Sequence, residues 1–228
     1  MDGNTPLGQA ALGRHEGIVR LLLGREEVNP DSRDVYGNTP LHGAASGGHE
    51  GIVKLLLDRK EVNPDSRDKM DFTPLSNAAY SGHEGIVKLL LDRKEVNPDS
   101  KDMDGKTPLR NAAKHGHEGI VKLLLDRNDV NPDAGDNCDR TPLGRAAKGR
   151  HEGIVRLLLG REEVNPDSKD TDGNTPLMCG VRGGHEGIVK LLQGRVYAAP
   201  GTEANSPPTP SSYISRSSSE GSSIFSID

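Results

Sequence analysis

The chain has 228 residues, a net charge of -5, 32% hydrophobic and 3% aromatic residues, and no Trp. A single large enzyme-like core draws its buried area from aromatic side chains, so this composition speaks against one. No apolar run approaches the roughly 18 residues of a membrane span, the start Met1-Asp2-Gly3-Asn4-Thr5 predicts no signal peptide, and the interleaved charges hold no basic block that would point to nucleic acid.

Three motifs recur along the chain. Thr-Pro-Leu begins at Thr5, Thr39, Thr73, Thr107, Thr141 and Thr175, always 34 residues apart. His-Glu-Gly-Ile-Val begins at His15, His49, His83, His117, His151 and His185 with the same step. Asn-Pro-Asp follows it at Asn29, Asn63, Asn97, Asn131 and Asn165. A fixed period of this length predicts a stack of identical supersecondary units.

One unit reads locally as helix, turn, helix and projecting loop. Thr39 caps and Pro40 opens a short first helix with Leu41, Ala44 and Ala45 on one face. Gly47-Gly48 ends it. A second helix runs from about His49 to Asp58 and carries Ile52, Val53, Leu55, Leu56 and Leu57. Asn63-Pro64-Asp65 breaks the chain, and Asp68 to Phe72 turn it into the next unit. Neither helix reaches the length an isolated helix needs, and Gly51 costs the second about 1 kcal/mol relative to Ala. Stacking on neighbouring units must supply the stability. The predicted core is thin, built of Leu, Ile, Val and Ala.

Asp34, Gly37, Thr39, Pro40, Leu41, His42, Ala44, Ala45, Gly48, His49, Val53, Leu56 and Leu57 together resemble the ankyrin repeat family. Tetratricopeptide repeats share the 34-residue period, but their aromatic signature is absent. The resemblance implies an all-α, ankyrin-type helix-turn-helix solenoid with projecting, β-hairpin-like fingers. Six units are expected over 1–193, at about 1–33, 34–67, 68–101, 102–135, 136–169 and 170–193, the first and last incomplete. Arg59-Lys60-Glu61 after the second helix and the longer connector Pro64-Asp65-Ser66-Arg67 account for the departure from the family period of 33. The variant resembles ankyrin arrays of fungal proteins, some of them large nucleotide-binding immune-type receptors, but no Gly-x-x-x-x-Gly-Lys-Ser/Thr loop is present. Arg14 and Arg150 stand where glycine is usual before His, at about 1 kcal/mol each if the backbone is left-handed. Asp71 and Asp139 replace the turn glycine more mildly. Gly180-Val181 replaces the alanine pair.

The units can be compared with one another. Between Asp34–Arg67 and Asp68–Lys101 nine positions differ, and eight of these fall between Val35 and Gly47. In related ankyrin proteins the fingertips and first-helix surface form the concave binding face. The resemblance therefore implies a protein partner, contacted by Tyr36, His42, Met70, Phe72, Tyr80, Met103, Arg110, Lys114, Arg145 and Met178. Neutral drift of unconstrained surface is the competing reading. The alternative function is a structural or regulatory segment of a larger protein with no ligand of its own.

Other chemistries are weakly supported. The repeated His residues lie one unit apart, too far to share an ion, and are expected to hydrogen-bond the turn backbone. His115 and His117 lack a partnering Cys, and His-Glu-Gly-Ile-Val lacks the second His of a zinc helix. The pair Asp31 and Asp34 reads as a solvated turn edge rather than a calcium cage. No Gly-x-Ser-x-Gly elbow occurs. No enzyme activity, cofactor or metal is expected. Cys138 and Cys179 make no disulfide framework, which fits cytoplasm or nucleus. The segment 194–228 is Ser/Pro-rich and is expected to be disordered. Within it Ser206, Thr209 and Ser217 are candidate phosphorylation sites. The first unit carries no polar cap, which suggests a piece of a longer repeat protein. A monomer is expected, with no membrane or direct nucleic-acid partner.

Overall fold

A computed structural model describes residues 5–196. The predicted tail with Ser206, Thr209 and Ser217 lies outside the described residues. Twelve helices form six pairs: α1 (Pro6–Leu12) with α2 (Glu16–Leu23), α3 (Pro40–Gly47) with α4 (Glu50–Leu57), α5 (Pro74–Ser81) with α6 (Glu84–Leu91), α7 (Pro108–His115) with α8 (Glu118–Leu125), α9 (Pro142–Gly149) with α10 (Glu152–Leu159), and α11 (Pro176–Arg182) with α12 (Glu186–Val196). Odd-numbered, inner helices stack on one another, and even-numbered, outer helices do likewise.

Each inner helix starts as its sequence dictates. The threonine backbone is extended, Pro occupies the first turn, and the hydroxyl accepts a backbone N–H three residues on, as Thr73 does from Ser76 at 3.1 Å. In the second pair the ring of His42 joins the cap, with its Nδ1 at 2.9 Å from the Thr39 hydroxyl. The alanine pairs are fully buried between stacked inner helices, and Ile, Val and Leu of the outer helices complete the core. Small side chains let the helices approach closely, so few aromatics are needed.

Two details of the stacking were not predictable from one unit. The repeated histidine was expected to bond turn backbone; the backbone it bonds is that of the preceding pair, at the C-terminal end of its inner helix. Nε2 of His49, His83, His117 and His151 faces the carbonyl oxygens of Leu12, Ser46, Tyr80 and Lys114 at 3.0–3.2 Å. A carbonyl only accepts, so each Nε2 carries the proton. On the opposite side Arg59, Arg127 and Arg161 donate to the last carbonyls of the preceding outer helices, those of Leu23, Leu91 and Leu125, at 3.3, 2.9 and 2.7 Å. A cation at a helix C-terminus offsets its unpaired carbonyls and dipole.

The expected strained positions are left-handed. Arg14 and Arg150 have φ of 61° and 67°, and Asp71 and Asp139 have 61° and 55°. At Gly116, which holds Arg150's place in the fourth pair with φ of 82°, an added Cβ would lie 2.6 Å from the His151 ring. At Arg150 that crowding is resolved differently: its Nε donates to Nε2 of His185 at 3.1 Å. Arg150→Gly is expected to stabilise the fold by about 1 kcal/mol by removing left-handed strain. A thermal midpoint no higher than wild type would show that the arginine–histidine bond already offsets the strain.

The fingers are tight turns, and no strand forms among the described residues. Each is closed by an aspartate whose Oδ1 accepts two backbone N–H groups. Asp68 takes those of Met70 and Phe72 at 2.8 and 2.9 Å. One backbone bond ties each turn to the next, from Lys69 N–H to the Tyr36 carbonyl at 2.9 Å and from Met103 N–H to that of Met70 at 3.1 Å.

The connector aspartates Asp31, Asp65, Asp99 and Asp133 are half-buried, not the solvated edge expected, and each has one carboxylate oxygen buried without a partner. Burial pushes their pKa up against the bond from the next unit's Asn backbone. In the window above the ordinary 3.8 the native state therefore binds more protons than the unfolded chain, and these groups favour folding more as pH falls. A variant with all four changed to Asn is expected to unfold at higher urea than wild type at neutral pH, with the gap closing on acidification. A pH-independent gap would exclude this titration.

Candidate partner-binding face

The fingertips and inner helices present one residue of each kind per pair, so variation between units becomes variation along a surface. Tyr36, Met70 and Met103 stand exposed at the finger turns. Tyr80 and Met178 are exposed on inner helices α5 and α11. Phe72, Lys114 and Arg145 are half-buried. These eight of the ten expected residues lie on or at the surface.

His42 and Arg110 do not, and the expectation that they contact a partner is corrected. His42 is buried, with Nε2 donating to the Phe72 carbonyl of the next finger at 3.0 Å. Arg110 is 2% exposed and donates to Asp136 at 2.5 Å. Both occupy the third position of an inner helix, which points between the pairs towards the next finger. Ser76, at the same position, is equally buried and lies near Ser100 and Thr73. Variation here is a choice of inter-unit linker.

The expected set also omitted Lys148 and Arg182, which extend the inner-helix row Tyr80, Lys114. Their register, one and two 34-residue units beyond Lys114, was the signal. Between the fingers and inner helices of the fifth and sixth pairs lies a hollow of ≈ 360 Å³. Arg145, Lys148, Arg182, Cys179, Asp139 and Asp172 are among its lining residues. Burial, then nearby cations, hold the pKa values of Lys114 and Arg145 below their usual range.

Among the described residues no three His, Cys, Asp or Glu side chains are grouped to hold a metal ion. His115 packs edge-on against Tyr80 with ring centres 4.4 Å apart, and burial lowers its pKa first, followed by the charge of Lys114. Cys138 and Cys179 are free thiols. No helix among the described residues is long and apolar enough to cross a membrane.

A family model described as ankyrin repeats matches three times, at residues 1–68, 60–136 and 128–202. None of the curated proteins compared matches the sequence. Among solved structures, the crystal structure of an ankyrin repeat domain from Acinetobacter baumannii AYE superposes with a TM-score of 0.74 at 28% identity, covering 84% of this chain and 97% of that one. The threonine-proline helix starts, the alanine pairs and the stacked helix pairs agree with that match over nearly the whole described region, and the chain belongs to the ankyrin repeat family.

Proposed function

We propose that the chain binds a partner protein on the face formed by its fingertips and inner helices, without catalysis, as a monomer in the cytoplasm or nucleus. Ankyrin repeats are generally protein-interaction modules and typically non-catalytic scaffolds. One observation carries the finer reading: on a scaffold repeated almost without change, the exposed large apolar side chains Tyr36, Met70, Tyr80 and Met103 stand on one face and differ from unit to unit. Exposed aromatic and Met side chains are the kind that anchor interfaces.

The test is capture of partners from native extract by wild type and by Y36A/M70A/Y80A/M103A, with circular dichroism confirming that both fold. The exposed positions leave stability within about 0.5 kcal/mol per substitution, while loss of hot-spot anchors of about 2 kcal/mol each is expected to abolish capture. Identical partner lists would refute the face and leave drift as the account of the variation.

A further inference from the structure

The chain is net acidic, yet its inner helices become purely basic from the fourth pair onward. Helices α1, α3 and α5 contain no Asp, Glu, Lys or Arg. Helix α7 carries Arg110 and Lys114, α9 carries Arg145 and Lys148, and α11 carries Arg182, all without a carboxylate. Arg110 is consumed inside by Asp136. Among the described residues the other four have no carboxylate within 4.0 Å.

Three of these four, Arg145, Lys148 and Arg182, line one hollow between the last two fingers and inner helices. Nε of Arg145 is buried there without a hydrogen-bond partner. Burial first, then the charge of Arg145, makes the Lys114 cation less favourable, and burial and the charge of Arg140 do the same for Arg145. Asp136 and Asp170 offset part of the charge on Arg145 but do not pair with it directly, and neighbouring cations that lack a direct ion pair are stabilised by an incoming anion. The acidic side of the hollow limits which anion. Asp170 is occupied by its own turn, accepting from the backbone of Asp172 and Asn174 at 3.1 and 2.7 Å. Asp139 and Asp172 remain exposed at the tips and repel a continuous phosphate backbone. A polypeptide can space its carboxylates with neutral residues, which a phosphate backbone cannot. The exposed apolar residues Tyr80 and Met103, on units before the hollow, suit the uncharged part of a polypeptide that runs along the array.

Resting on the protein-binding reading, we infer that the occupant of this face is an extended, Asp/Glu-rich segment of a partner protein, its carboxylates seated on Lys114, Arg145, Lys148 and Arg182. The probe is a short fluorescein-labelled peptide of alternating Glu and Ala. Its Gln-for-Glu counterpart and a dT oligonucleotide of matched charge serve as controls, all titrated with the full chain by fluorescence anisotropy. The Glu peptide is expected to bind, more weakly as salt rises, and the Gln peptide is not. K114Q/K148Q/R182Q, which keeps much of each side chain's bulk and lies outside the core, is expected to weaken binding by about tenfold or more. Equal binding of the two peptides, salt-independent binding, an unaffected K114Q/K148Q/R182Q variant, or tighter binding of the oligonucleotide would each overturn the inference. If the Glu peptide fails while fingertip substitution still removes partners from extract, the acidic segment falls and the face stands. If both fail, both readings fall.

Discussion

Asp136→Ala is expected to cost about 3–5 kcal/mol of unfolding free energy, and Arg110→Met about 1–2 kcal/mol, although the two form one ion pair. The asymmetry follows from what each leaves behind. The Asp136 side chain is 0% exposed, and besides Arg110 it accepts from the backbone N–H of Cys138 and Arg140 at 3.0 and 3.1 Å and from the Arg140 guanidinium at 3.0 Å. Burial works against its ionisation, but the Arg140 side chain, these two N–H groups and the Arg110 charge outweigh it and hold the pKa below 3.8. Without Arg110 the carboxylate is still satisfied. Among the described residues the Arg110 side chain has no other hydrogen-bond partner, its Nε is unpaired, and burial and the Arg145 charge disfavour its cation. Without Asp136 a buried guanidinium is stranded between Arg140 and Arg145, and the turn that closes the fifth finger is lost. Urea unfolding at neutral pH measures both variants, and equal costs would show that the pair alone sets the energy. The native pKa is depressed, so the Asp136 contribution is fully present above 3.8 and fades as pH falls through the lower native value. The curves of wild type and Asp136→Ala converge in acid.

This pair also marks how far the sequence could be read. Period, caps and the two-helix unit were legible because each rests on local chemistry repeated six times: a threonine before proline, a glycine or a tolerated left-handed residue after the helix, an apolar stripe. The exposed fingertips followed from turn geometry, which sends their side chains outward whatever they are. His42 and Arg110 were not legible. Their position varies as a surface position does, but the next unit's finger covers it, and that cover appears only when two units are stacked. That the histidines bond backbone was legible, but which unit supplies the carbonyl was not, for the same reason: it belongs to the unit before. The carboxylate acceptor of Arg110 lies 26 residues downstream, beyond any local motif.

The stacking also sets the second large effect. Ile86→Ala is expected to cost about 2–5 kcal/mol, the range for truncating a fully buried Ile. The same change at Ile18 is expected to move stability by no more than about 0.5 kcal/mol. The sequence around the two is almost identical, Glu-Gly-Ile-Val-Lys against Glu-Gly-Ile-Val-Arg, and both lie at the third residue of an outer helix. Helix propensity and the local pair are therefore held constant. What differs is the neighbour: Ile86 is 0% exposed against the stacked pairs, while Ile18, with no described pair before it, is 48% exposed. Ile52, Ile120 and Ile154 match Ile86, each 1% exposed, and are expected to give the same cost within a few tenths of a kcal/mol. Urea midpoints of the five single variants test this directly. If Ile18→Ala costs as much as Ile86→Ala, the energy of each unit is intrinsic to its own helix pair. If the costs divide as burial does, the inter-unit interface supplies it, and a helix pair of this sequence is stable only as part of a stack.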